Sequence, residues 1–358
     1  MPIRSHIRDY SVSFEDDPSF IGELAATKDA CWIVDANVWE LYHQSALAPL
    51  AEADVAVMPF DETRKNLETV TSIYDRLVEK AAKRNLTLIS VGGGITQDVT
   101  GFAASTLYRG VRWIFVPTTL LAQADSCIGG KTSLNYRAFK NLVGSFYPPS
   151  HIHLYTPFLR TLTKEDYASG LGEVIKLYLM GGLDRQAALR GQIDALFARD
   201  DAALRQSVAE ALRIKISYME DDEFDTGKRN LLNYGHTLGH ALESVSNYRI
   251  PHGQAVIIGM VYANAIASER GRLAPTKAAA LAVLLRRTLT ARPTREDLIP
   301  EPLLDAMRKD KKRCGQQLPL IMLQDDGNLV RVNDLMEQEA RAGLTQLGHW
   351  LLSEGNAT

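Results

Sequence analysis

Cysteine is scarce in this chain: Cys31, Cys127 and Cys314 are three in 358 residues, and no two have the C-x-x-C spacing. An odd, widely spaced set offers no disulfide framework, so a reduced cytoplasm is the default setting. Net charge is small, −3 at neutral pH, which leaves no field to draw nucleic acid or an anionic membrane as a partner. Any anionic ligand must then be held by a local group of basic side chains. Long apolar runs are missing, since none reaches the roughly 18 residues of a bilayer span. The start, Met1-Pro-Ile-Arg-Ser-His6, lacks the apolar stretch of a secretory signal. Histidine is also sparse, eight in all, yet His236, His240 and His252 fall close together.

Apolar and charged fractions of 46% and 23% are those of a soluble globular protein. The length accommodates two domains. Through residue 160, short β-type runs alternate with helical patterns. Cys31-Trp-Ile-Val34 leads to Asp35, Leu86 to Val91 leads to three glycines, and Val111 to Val116 stops at Pro117. With a helical stretch from Asn66 to Arg84, these predict βαβ units and a mainly parallel, Rossmann-like sheet. From 161 to 358 helix-period segments dominate: Arg185 to Arg199, Ala202 to Tyr218, Gly253 to Arg270 and Thr276 to Leu289. Leu318 to Leu323 and Gly327 to Val332 read as a late hairpin. The expectation is a nucleotide-binding α/β domain over 1–160 and a mostly helical domain over 161–358.

Gly92-Gly93-Gly94 stands between a strand and a helix start at Asp98. Glycines there admit a pyrophosphate to backbone N–H groups and a helix N-terminus. The spacing is not G-x-G-x-x-G, so a plain tight turn competes equally. Asp35, ending an earlier strand, suits a ribose hydroxyl or a helix cap. Glu62 and Lys65, in Asp61-Glu-Thr-Arg-Lys65, read as an exposed pair. Gly129-Gly130-Lys131-Thr132 has the ending of a P-loop but Asp125 where that motif needs glycine, which excludes it. A Gly-Gly turn presenting Lys131, with Lys140-Asn141 beyond, still suits an oxyanion.

His236 and His240 are one helical turn apart and share a face. His252 opens a new apolar helix, and Gly172-Glu173-Val-Ile-Lys176 supplies a carboxylate. Two imidazoles and one carboxylate would leave an open position on a zinc-like ion. On spacing alone, that reading and a surface His pair stand level.

Six ordered motifs carry a resemblance. They are Gly92-Gly-Gly-x3-Asp98, Pro117-Thr-Thr-Leu-Leu-Ala-Gln-x-Asp-Ser-x-Ile-Gly-Gly-Lys-Thr132, Lys140-Asn-x2-Gly-x-Phe-Tyr147, Gly172 to Lys176, Arg229-Asn-Leu-Leu-Asn-x-Gly-His-x2-Gly-His-Ala-x-Glu243, and His252-Gly-x-Ala-Val-x2-Gly-Met260. The chain resembles the 3-dehydroquinate synthases and the wider sugar-phosphate cyclases. The resemblance implies a metal, zinc or cobalt, on Glu173, His236 and His252. It implies NAD on Asp35, Asn37, Glu62, Lys65, Gly93, Gly94, Asp98, Thr118, Thr119 and Lys140, with Phe158 and Thr161 nearby. Substrate falls to Arg109, Asp125, Lys131, Lys140, Asn141, Lys176, Lys215, Arg229, Asn233 and His240, with Lys311 or Lys312. Lys131, Asn141 and Lys176 are assigned to phosphate, Arg229 and Lys215 to carboxylate, and His240 and Asn233 to ring hydroxyls.

The implied enzyme is a carbocycle-forming lyase that turns 3-deoxy-arabino-heptulosonate 7-phosphate into 3-dehydroquinate and phosphate, with NAD reduced and reoxidised within one turnover. A homodimer is expected. Gln97, Phe139 and Gln254 depart from the family's usual residues, and Gln254, close after His252, would remove a charge beside a metal ligand. A specialised cyclase (aminated, sedoheptulose or glucose phosphate substrate) is the alternative, and an NAD- and metal-dependent alcohol dehydrogenase the more remote one.

Overall fold

Continuous apolar runs bounded by glycine, proline or aspartate become parallel strands buried on both faces. In the computed structural model, which describes residues 1–137, 139–310 and 318–352, such runs form β3 (Ala30–Asp35), β5 (Thr87–Gly92) and β6 (Arg112–Pro117). They lie within a seven-stranded sheet completed by β1 (Pro2–Ile3), β2 (Tyr10–Phe14), β4 (Val55–Met58) and β9 (His151–Leu154), in the order β1-β2-β9-β6-β5-β3-β4. Only the β1–β2 pair is antiparallel. Strands β7 (Lys131–Tyr136) and β8 (Phe139–Phe146) make a separate hairpin.

The helices of this first unit, Met1–Thr161, are α1 (Ser19–Ala25), α2 (Ala36–Tyr42), α3 (Leu67–Glu79) and α4 (Gly94–Thr106). Trp32, Val34, Ile89, Val91, Ile114 and Val116 share one core cluster with Phe20, Leu47, Leu50 and Phe158. The chain runs from β3 outward to β4, then returns to lay β5 on the other side of β3. The loops leaving β3 and β5 therefore diverge at a topological switch point, where open α/β sheets take ligands.

The second unit, Leu162–Thr358, is organised around α9 (His252–Glu269), whose residues from Gly253 to Asn264 are all buried. Against α9 pack α5 (Lys164–Met180), α8 (His236–Val245), α10 (Pro275–Arg286) and α12 (Glu337–Leu352). Helices α6 (Leu183–Phe197), α7 (Asp201–Met219) and α11 (Pro300–Asp310) and the hairpin β10 (Leu318–Leu323) with β11 (Leu329–Leu335) complete it. Lys311, Lys312 and Cys314 lie outside the described residues. Among the described helices none is long and apolar enough to cross a membrane.

Glycines set how closely the central helices approach. A Cβ on Gly253 would lie 1.8 Å from Ser169 O, and one on Gly172 would lie 2.5 Å from Gly253 O. The backbones of α5 and α9 thus touch. A Cβ on Gly259 would lie 1.8 Å from Gly235 O, bringing the start of α8 onto α9 in the same way.

Candidate functional site

Each of these close approaches has a ligand-type side chain next to it in sequence: Glu173 after Gly172, His236 after Gly235, and His252 before Gly253. Glu173 Oε1 lies 3.4 Å from His252 Nε2 and 3.9 Å from His236 Nε2. The three residues can bring one ligand atom apiece within 4.8 Å of one another. Both imidazoles are held from behind. His236 Nδ1 is 3.1 Å from Tyr234 O, which only accepts, so Nδ1 carries the proton and Nε2 presents its lone pair. His252 Nδ1 is 3.0 Å from Glu243 Oε2. Histidines backed by a carbonyl or carboxylate are the arrangement that orients imidazole toward a metal.

Glu173 itself is fully buried, and neither of its carboxylate oxygens makes a well-formed hydrogen bond. Lys176 Nζ is 2.5 Å from its Oε2, an ion pair in which proximity outruns hydrogen-bond geometry. Burial alone would raise the Glu173 carboxyl, but Lys176 and His252 outweigh it and hold it below the usual range. Burial, together with Lys176 and the other two histidines, holds His236 neutral. A buried carboxylate without directional partners, facing two oriented imidazoles, fits a divalent ion of the zinc class.

His240 stands beside this group, its ring centroid 5.1 Å from that of His236 and 5.9 Å from that of His252. Lys176, Lys215 and Arg229 are buried. Arg229 is fixed by a loop that wraps Asp222. The Asp222 carboxylate accepts from the backbone N–H of Thr226 (2.8 Å), Gly227 (2.7 Å) and Arg229 (2.8 Å). Arg229 also donates from Nη1 to Glu223 O. Asn233 is half-buried and donates to Asn230 O at 3.2 Å.

In the first unit several of the expected residues gather in two places. At the switch point, Asp35 Oδ1 caps α2 through Asn37 N (2.8 Å) and Val38 N (3.4 Å). Asn37 itself is exposed. Gly93 begins α4 with no side-chain cap, leaving the helix N-terminus to attract negative charge. Thr118 and Thr119 follow β6, with Thr118 N bonded to Gly92 O at 2.9 Å. Phe158 packs its ring edge-on against Tyr42 in the core, and Tyr42 reaches Thr161 Oγ1 at 2.7 Å. Phe158 is buried, and its carbonyl accepts from Tyr42 and Thr161 at 3.2 and 3.3 Å, so it braces this turn from inside.

The second place is a network on the β7–β8 hairpin. Lys65 is buried, which corrects the exposed-pair reading. Its Nζ lies 2.5 Å from Asp98 Oδ2 and 2.6 Å from Asn141 Oδ1. Ser133 holds Asp98 with both its N–H and its hydroxyl, each at 3.0 Å, and reaches Asn141 Oδ1 at 2.9 Å. Glu62 meets Asn135 Nδ2 at 2.9 Å and Lys140 Nζ at 3.2 Å. Lys131 is exposed at the start of β7, and Asp125 sits in a single π-turn, Ala122–Ser126. Arg109 is exposed in a left-handed run, Tyr108 (φ 50°), Arg109 (φ 66°) and Gly110 (φ 122°).

Two of the departures have structural explanations. The side-chain amide of Gln254 bonds away from Glu173, His236 and His252: it donates to Ala168 O (3.0 Å) and Thr288 O (3.1 Å) and accepts from Thr290 N (2.7 Å). Glutamate could not donate to those carbonyls. Gln97 pairs with Ser126 through both ends of its amide, at 2.7 Å each, tying α4 to the π-turn. Phe139 is exposed, and nothing in the structure explains it.

Ser133, Asn135, Asp222 and Glu243 were not singled out from sequence. Glu243 closes a recognised motif, which was the available signal. Asp222 lies in the acidic run Glu220-Asp-Asp-Glu-Phe-Asp225 and looks solvated.

The chain is similar to known proteins over most of its length. Residues 55–169 match the family model for the 3-dehydroquinate synthase N-terminal domain, and residues 170–313 that for its C-terminal domain. A curated relative from Halorhodospira halophila named 3-dehydroquinate synthase is 38% identical over 332 residues, 90% of this chain and 92% of its own. Among solved structures, 2-epi-5-epi-valiolone synthase from Streptomyces hygroscopicus subsp. jinggangensis, with NAD+ and Zn2+ bound, superimposes with a TM-score of 0.85 at 26% identity, covering 95% of this chain and 97% of that one. A 2-deoxy-scyllo-inosose synthase complexed with carbaglucose-6-phosphate, NAD+ and Co2+ gives 0.84 at 26%, covering 96% and 99%.

Proposed function

The chain belongs to the 3-dehydroquinate synthase family, and from that premise we propose that it converts 3-deoxy-arabino-heptulosonate 7-phosphate to 3-dehydroquinate and phosphate, using catalytic NAD and a zinc- or cobalt-class ion. The observation that carries the proposal is the ion-ready group of Glu173, His236 and His252, with Tyr234 O and Glu243 behind the imidazoles. When bound, NAD supplies reversible hydride acceptance and the ion supplies Lewis-acid polarisation of a ring oxygen.

The chain's own residues supply position and charge. In the first unit, Asp35, the α4 N-terminus, and Thr118 and Thr119 are assigned to NAD, while Lys65 fixes the Asp98 carboxylate. Asn141 receives Lys65 and Ser133 on Oδ1, so its amide N–H groups face away from them and suit a phosphate oxygen, with Lys131 as a second donor. In the second unit Arg229, oriented through its own backbone by Asp222, and Lys215 are assigned to the carboxylate. His240 and Asn233 take ring hydroxyls, and Lys176 takes an anion once Glu173 is neutralised. Fixing the charged groups of a flexible sugar acid keeps its reacting groups near the geometry of elimination and ring closure. The same reading expects a cytoplasmic homodimer, the oligomeric part of which light scattering checks.

The test is incubation with NAD, zinc or cobalt, and each candidate sugar phosphate in turn. Phosphate release from the heptulosonate phosphate without net NADH supports the proposal. Turnover confined to sedoheptulose 7-phosphate or glucose 6-phosphate overturns the substrate assignment, and steady NADH accumulation overturns the cyclase chemistry.

A further inference from the structure

A second group of ligand-type side chains stands in the first unit, among residues that none of the roles above uses. His151 and His153 are two apart on β9 and share a face of the sheet. The parallel register sets Ser11 opposite His151 and Ser13 opposite His153. Glu15 continues the pairing through its N–H to Leu154 O at 2.8 Å, so its side chain falls on that same face.

The contacts are short and mutually fixing. Ser11 Oγ is 2.6 Å from His151 Nδ1, and Ser13 Oγ is 2.9 Å from His151 Nε2. His153 Nδ1 is 2.8 Å from Glu15 Oε1. The two imidazole centroids are 4.2 Å apart, and Phe20 stacks on His153 at 5.3 Å. One ligand atom from each of Glu15, His151 and His153 can be chosen so that all lie within 4.8 Å.

We propose that Glu15, His151 and His153 form a second divalent-ion site of the zinc class, distinct in its residues from Glu173, His236 and His252. Two imidazoles and a carboxylate are a zinc-type donor set, and a strand His-x-His pair presents both rings without any change of backbone.

Loading needs only a small rearrangement. Ligand atoms around a tetrahedral zinc sit about 3.3 Å apart, so the Glu15–His153 contact opens slightly and His151 moves inward. Glu15 can only accept, so His153 Nδ1 carries the proton they share. The ion takes that proton's place on Nδ1, and the proton passes by way of solvent to Nε2, so the ring holds one proton before and after. Ser13 gives up His151 Nε2, while Ser11 still orients the ring from Nδ1. The competing description is a hydrogen-bond network closed on itself, needing no ion.

EDTA-stripped wild type, E15Q, E173Q and the double variant separate the two, by cobalt titration and by metal retained after dialysis. Glutamine keeps the size and an acceptor at position 15, and thermal melting checks folding. H151Q replaces E15Q if that variant melts early. The expected result is two equivalents in wild type, one in each single variant and none in the double, with E15Q turnover unchanged at saturating metal. A single equivalent in wild type that E15Q does not alter overturns the proposal. Turnover is read separately, so failure of the second site and failure of the proposed reaction remain distinguishable.

Discussion

Asp98 and Glu173 are both acids beside a buried lysine, but the protein completes one and leaves the other incomplete. Asp98 receives Lys65 Nζ at 2.5 Å and two bonds from Ser133 at 3.0 Å. Glu173 has Lys176 equally near, yet neither of its oxygens is well hydrogen-bonded. The first arrangement is a finished platform that holds Asn141 in place. The second is a carboxylate kept out of water without directional partners, which suits a partner with charge and open coordination. The elements differ accordingly: side chains from a hairpin, a loop and α4 build the first, while backbone contact at glycines between helices builds the second.

Changes at the incomplete site should have the largest effects. Glu173→Gln is expected to abolish turnover and remove one equivalent of bound metal, read by elemental analysis after dialysis. Gly253→Ala places a methyl 1.8 Å from Ser169 O. Overpacking of this kind costs about 1–3 kcal/mol, and here it should also loosen the metal, because α5 and α9 carry Glu173 and His252. Calorimetry together with metal affinity reads both; a fall in stability with unchanged affinity would separate the close approach from the site.

Asp222→Asn removes an acceptor from the Arg229 loop at a cost on the order of 2 kcal/mol. Burial alone would raise the Asp222 carboxyl, but the N–H groups of Thr226, Arg229 and Gly227 hold it at about 2. Its folded value lies below the unfolded value of about 3.9, so its contribution is present above that pH and is lost as pH falls toward 2. Denaturation midpoints should therefore converge for wild type and D222N across this acid window. The completed network should tolerate most: Ser133→Ala keeps the N–H bond to Asp98 and loses about 1 kcal/mol, seen as a several-fold rise in KM for NAD with kcat unchanged.

Much of this was legible in sequence because the signals were local. The runs at β3, β5 and β6 are mostly apolar, as strands buried on both faces must be, and the family motifs around Glu173, His236 and His252 pick out three residues that the structure brings together. Misreadings arose where distant elements decide. Lys65 looked solvated in Asp61-Glu-Thr-Arg-Lys65, but β7 covers it, with Asn135 N bonded to Lys65 O at 2.7 Å. Gln254 is two residues from His252, which on a helix means roughly 200° of rotation, so nearness in sequence placed it on the wrong side. Strand β9 was unmarked because His151-Ile-His-Leu154 has only two apolar residues and draws its context from β2 and β6.

Scanning calorimetry of EDTA-stripped wild type and E173Q, with and without zinc at about 100 times its dissociation constant, tests the Glu173 site most directly. Saturating one site at that ratio adds about 2.7 kcal/mol, and the difference between the two proteins isolates the site from any other bound zinc. The stabilisation by zinc should be larger in wild type by about that amount; equal stabilisation of the two proteins would contradict a carboxylate held for an ion.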